Sequence, residues 1–284
     1  MNRLISTLAA LFFCAYCSGQ EYYGTWDIRD STEHYVFAET AYIRADTSLN
    51  SAILDSLQVG DNVLVLHTTS AVATVRGITA PWVKLSYNRN GSEKTGYMWR
   101  TLLSFGRLRR GDTKFIYGLE RKLSKDTASE YGNYTMRWYD AKLKVVINSS
   151  KVAESAFRVD AGEGGDYVST AISDGKRLEN VKQIPAISIG GGACGVGTHT
   201  FMHTWNGKEL YALPKLYEVG DAGVYYYTEQ FTFPADKGGK PGIVTWTSEE
   251  AEATEKLKKN GEPVFKTTKK KKSYAWDGKK LSPR

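Results

Sequence analysis

The sequence predicts an all-β protein, and three observations carry that prediction. Eighteen tyrosines lead an aromatic content of 12%, the residue class that fits a pleated, half-buried surface. Twenty-seven glycines, several in Asn-Gly or Asp-Gly pairs, supply the positive φ angles of tight hairpin turns. Segments such as "THTFMHTW" and "KSYAW" alternate in the way strands do. With 284 residues, 41% of them hydrophobic, the chain buries a sizeable core, and its length suits two domains.

Residues 1–19 stand apart from this pattern. Arg3 opens a basic start, Leu4 to Ala15 form a short apolar run, and small residues follow at Cys17 and Gly19. This is the layout of a secretory signal peptide, so the expected destination is periplasmic or extracellular. A lipid-anchored form is disfavoured, because Phe13 and Tyr16 rather than small residues precede Cys14 and Cys17. Cleavage there leaves Cys194 as the single cysteine, so stability rests on the core and not on a disulfide.

The first domain is expected over residues 35–105. A strand runs through Tyr42-Ile43-Arg44, a polar loop follows, and a second strand through Ile53–Leu57 turns at Gly60-Asp61. Val63 to Leu66 read as a strand buried on both faces, and Asn90-Gly91 closes a hairpin between "PWVKLSY" and "TGYMWR". The order Tyr42-Ile43-Arg44, Ile53 to Leu66, Trp82-Val83-Lys84-Leu85 and Gly96-Tyr97-Met98-Trp99 resembles the bacterial SH3-like family. It departs from that family in the inserted loop Thr68 to Ala80 and in Tyr97, where a tryptophan is usual. The resemblance implies a small β-barrel in an exported protein, with cell-wall peptide or an envelope protein as partner. Tyr42, Trp82, Tyr97 and Trp99 are the candidates for an aromatic binding groove, set against the competing reading that a small barrel needs such rings as core.

After a polar linker, "GRLRRGD", residues 113–284 read as an antiparallel, hairpin-rich β domain, either a sandwich or a twisted open sheet. Turn signatures recur at Asp174-Gly175, Asn206-Gly207 and Asp277-Gly278, the last two each preceded by a tryptophan. Weaker copies sit at Asp140-Ala141 and Gly239-Lys240, so roughly five hairpins are expected. One interruption, "SEEAEATEKLKKN" at 248–260, has the capping serine, acidic start and basic end of a short helix.

The net charge of +7 is concentrated at the C-terminal end, where Glu255 to Arg284 carry ten lysines and one arginine against three acids. Lys269, Lys270, Lys271 and Lys272 fit contact with an anionic surface, and fit better the exposed edge of a strand. Nucleic acid is not an expected partner of an exported chain.

The stretch Gly190 to Leu210 invites three chemical readings, and none is adopted. Gly190, Gly192 and Gly195 match a dinucleotide fingerprint, but a strand and a hairpin follow where a phosphate-binding helix is required. Metal binding by Cys194, His199 and His203 is disfavoured, since histidines four apart on a strand stand about 13 Å from one another. Cys194 as the nucleophile of a cell-wall hydrolase is the alternative function, weakened by the absence of a helical pattern after it. No catalytic residue, metal or cofactor is assigned, and the expected function is binding or scaffolding in the cell envelope.

Overall fold

The computed structural model describes residues 28–123, 127–128, 135–161, 166–191, 194–221 and 223–284; the expected signal peptide lies outside them. The fold is all-β, built from three antiparallel sheets. The first contains β1 (Thr32–Tyr35), β2 (Thr40–Arg44), β3 (Ile53–Gln58), β4 (Asn62–Val75), β5 (Ile78–Arg89) and β6 (Ser92–Trp99). Their order is β1-β4-β5-β6-β2-β3, and the sheet curls into a half-barrel around Ala41, Ile43, Val63, Val65, Val83, Leu85 and Met98.

Local chemistry accounts for the hairpins. Asn90 and Gly91 both adopt positive φ, 54° and 79°, the pair of values a two-residue turn between β5 and β6 needs. Arg76 and Gly77 do the same between β4 and β5. The inserted segment Thr68 to Ala80 is therefore a hairpin extension and not an open loop.

The second sheet contains β7 (Gly106–Arg110), β8 (Thr113–Lys122), β9 (Thr127–Ala128), β10 (Thr135–Ile147) and β11 (Ser150–Ala161), in the order β11-β10-β8-β7 with β9 beside β10. The expected linker is thus an edge strand, β7. Gly106 is buried with little room for a side chain: a Cβ would come within 2.6 Å of the tip of the Ile187 side chain. Asp140-Ala141, read as a weak turn, lies inside β10 with Ala141 buried; the real turn is Asn148-Ser149.

The third sheet contains β12 (Asp166–Asp174), β13 (Gln183–Gly191), β14 (Thr198–Trp205), β15 (Leu210–Ala212), β16 (Leu216–Asp221), β17 (Tyr225–Thr232), β18 (Ile243–Leu257), β19 (Pro263–Trp276) and β20 (Leu281–Pro283). Its path runs in chain order apart from β15, which pairs beside β14. The helix expected at 248–260 does not form. Ser248 to Leu257 continue β18, with Ser248 to Glu252 bonded to β17 on one side and Ser248 to Ala253 paired with β19 on the other. A segment of this length is marginal as an isolated helix, and strand pairing satisfies its backbone while Ala251 is fully buried.

Two repeat copies are the same structure. In both Trp205–Leu210 and Trp276–Leu281 the Asx side chain accepts two backbone N–H bonds, Asn206 from Lys208 and Glu209 and Asp277 from Lys279 and Lys280. Both tryptophans are buried.

The second sheet is the middle layer. Phe115, Tyr117, Leu143 and Val145 pack with Ile187, Phe201 and Trp205 of the third sheet and with Ile78, Trp82 and Trp99 of the first. Ile116 and Val146 pack against Tyr35, Phe37 and Val59. Two core clusters therefore span residues 35–105 and 113–284, while a third lies within the half-barrel and a fourth within the third sheet.

Candidate functional site: a charged cleft between the first two sheets

Alternation along β6 and β5 decides the fate of the predicted aromatic groove. Trp82 and Trp99 face each other across the β5–β6 ladder and are 2% and 5% exposed. The Trp99 indole N–H donates to the carbonyls of Ala73 and Ala80, closing it against the β4–β5 extension. Neither ring is open to a ligand on the outer wall of the half-barrel. Tyr42 remains exposed, and Tyr97 is half-buried beside Arg44. The structure does not bring the four rings together as an open groove.

The histidines of β14 are likewise turned inward. His199, Phe201, His203 and Trp205 share one face, which meets the second sheet. His203 Nε2 stands 3.1 Å from Ser155 Oγ, Phe157 packs at 4.8 Å on Phe201, and Trp205 meets Phe115 edge-on at 6.4 Å. His199 approaches Asp160 at 3.6 Å and stacks on Tyr217 at 4.9 Å. Burial lowers the His203 pKa to about 4, so its ring is neutral at pH 7. Cys194 is exposed in the turn before β14. Among the described residues, no three His, Cys, Asp or Glu side chains gather as a metal site.

A site that sequence reading missed lies where the half-barrel meets the second sheet. A cleft of about 370 Å³ opens between the β1–β2 connection, the end of β6, and β8, β10 and β11. Its apolar floor includes Phe37, Trp99, Leu102 and Leu119. Its walls carry Arg76, Lys142, Lys144 and Lys151 against Glu39, Glu120 and Glu154, four cations to three carboxylates. Trp99 thus belongs to a cavity after all, on the side covered by the second sheet.

Lys144 is the unusual member. It points from β10 away from Leu143 and Val145, and its side chain is only 4% exposed. Its ammonium donates to the Phe37 carbonyl and to Glu39 Oε1, both at 2.9 Å, lies 3.9 Å from Glu120, and rests 4.2 Å from the centre of the Phe37 ring. A buried ammonium is costly unless paired and hydrogen-bonded, and here it is both. Gly118 makes the arrangement possible: a Cβ there would stand 2.0 Å from the Phe37 ring.

The rest of the wall is cross-linked. Lys151 bridges Glu39 at 2.8 Å and Glu154 at 2.9 Å, and Lys142 reaches Glu154 at 2.9 Å. These two lysines hold the Glu154 carboxyl at a pKa of about 2, against the smaller effect of burial. Burial pushes the Glu39 carboxyl up, but hydrogen bonds from Lys151 and Lys144 outweigh it and leave it below its ordinary range. Glu39 and Glu154 are thus both held below their ordinary range by the lysines beside them, and the cavity presents charged groups of both signs over an apolar floor.

Lys144 hides in sequence as one polar residue of an alternating strand, "AKLKVV", where it reads as solvent-facing. The segment that covers it, Phe37 to Glu39, lies 105 residues away in sequence. Comparison with known proteins finds no matching family profile, curated protein or solved structure, so the functional reading rests on geometry.

Proposed function

We propose that the chain is an exported, non-enzymatic binding or adaptor protein of the cell envelope, with a half-barrel of the bacterial SH3-like kind. Its ligand is a short peptide segment, as in cell-wall peptide or an envelope protein partner. The ligand site in this reading is the Lys144 cleft rather than an outer aromatic groove.

The observation that carries the proposal is the Lys144 ammonium, held at the wall of a cavity whose floor is aromatic and aliphatic. A peptide segment supplies what such a site complements: a carboxylate for the lysines, an amine for the glutamates, and an apolar side chain for Trp99 and Leu119. The cavity volume lies in the range of small-ligand sites. Export is supported by the apolar N-terminal run, and the family resemblance by the motifs of residues 42–99.

Calorimetric titration of the full chain with purified cell-wall stem peptides tests the reading. Binding is expected, weakened about tenfold or more by Lys144→Met and by the rim variant Lys151→Gln, with circular dichroism confirming that both fold. Equal affinity in both variants, or no binding to the wild type, refutes the cleft as the site. If the purified protein hydrolyses cell wall and Cys194→Ala abolishes that activity, the non-enzymatic reading falls.

A further inference from the structure

The third sheet ends on an edge that is only partly covered. β20 pairs with β19 over Tyr274–Trp276, and among the described residues no strand pairs with the outer side of β19 from Pro263 to Ser273. The Ser273 carbonyl accepts the Arg284 N–H at 3.1 Å, which fixes the phase of the ladder. Outward-pointing backbone groups therefore fall on Ser273 and, alternating back from it, on Lys271, Lys269, Thr267 and Phe265.

Five of the seven residues from Lys266 to Lys272 are lysines, all exposed. Lys269 is paired with Glu249 at 2.7 Å, and Lys272 lies over the Trp246 ring at 5.2 Å. Lys266, Lys270 and Lys271 have no carboxylate partner among the described residues, so positive charge is left over along the edge. Register places Lys269 and Lys271 on one face of the sheet and Lys266, Lys270 and Lys272 on the other.

That distribution selects among partners. Like charges directly opposite repel, so a second copy of this edge is barred. A flat anionic membrane meets only one face and leaves the other lysines unused. An extended acidic chain lying in the plane of the sheet meets the lysines of both faces, and its backbone takes up the free N–H and C=O groups.

We propose that the β19 edge from Phe265 to Ser273 docks an extended, acidic peptide segment of a partner protein, added as a further strand in line with β20. The backbone ladder supplies affinity, and the lysines supply the choice of an acidic sequence. This surface is separate from the Lys144 cleft and does not depend on it.

Fluorescence anisotropy tests the proposal with a labelled nine-residue peptide of adjacent glutamate pairs separated by single valines, which presents glutamate on both faces of an added strand. The glutamate peptide is expected to bind at least tenfold more tightly than its glutamine counterpart at low salt, with the difference shrinking as salt rises. The double variant Lys270→Glu, Lys271→Glu should abolish binding while leaving the circular dichroism spectrum unchanged. Methylating the peptide's edge-facing amides should also abolish it. Unchanged binding after methylation overturns strand addition, since charge alone then suffices. Absence of peptide binding, with or without retention on anionic lipid vesicles, overturns the proposal as a whole.

Discussion

Lys144 and Glu39 meet at 2.9 Å although one belongs to an inner strand of the second sheet, β10, and the other to the connection between β1 and β2. The two partners are unequal: the lysine side chain is 4% exposed and the glutamate 57%. Their deletion should therefore be unequal too. Glu39→Gln leaves a buried ammonium with its main countercharge gone and is expected to cost about 3 kcal/mol. Lys144→Met leaves a carboxylate that is exposed and still bonded to Lys151, and is expected to cost under about 1 kcal/mol. Urea denaturation of the two variants measures the difference.

Gly118 is needed for its missing Cβ and not for its backbone. A methyl group there would stand 2.0 Å from the Phe37 ring, so Gly118→Ala forces the half-barrel off the second sheet. A loss of about 2–3 kcal/mol is expected. Adding Phe37→Leu should recover part of it, a non-additivity that a double-mutant cycle reads directly.

Acid should loosen the fold through two buried histidines before it reaches the Glu154 pairings. Burial lowers His34 to a pKa of about 4, outweighing its hydrogen bond to the Ser104 carbonyl, and burial lowers His203 to the same value. Each group is at 6.5 when unfolded, so the unfolded chain binds protons first as pH falls. The stability they contribute is complete above pH 6.5 and is lost progressively down to about pH 4, about 3 kcal/mol for each histidine. The Glu154 contribution, by contrast, starts to fall only below its ordinary value of 4.5. Melting temperature followed from pH 7 to 4 should drop through this window, and less steeply in His203→Gln.

Trp205 is 2% exposed and stands edge-on to Phe115 across the junction of the second and third sheets. Trp205→Ala is expected to cost about 3–5 kcal/mol, the range for an aromatic deleted from a core. Trp276, its counterpart in the equivalent loop, lies in a smaller cluster with its indole bonded to the Glu179 carbonyl. Its removal should cost less, and thermal denaturation of the pair ranks them.

Some features were legible because they are local. Asn90-Gly91 must turn, since few other pairs accept two positive φ angles, and β14 must alternate, since His199, Phe201, His203 and Trp205 fall two apart. The twin tryptophan loops could be read as copies for the same reason: the Asx side chain bonds to backbone only two and three residues on.

What the sequence by itself determined was therefore the all-β class, several of the turns and the alternation of β14, each set by neighbours along the chain, whereas the contacts of Phe201, His203 and Trp205 with the second sheet came from the tertiary structure. Only the tertiary structure decided that Ser248 to Leu257 is a strand, because its backbone partners come from β17 and β19. Only the tertiary structure turned "GRLRR" into an edge strand under Ile187, and buried Trp82 and Trp99 beneath the second sheet. The Lys144 cleft is the clearest case. Its charges alternate like a solvated face, and their burial follows from a segment 105 residues away that packs over Gly118.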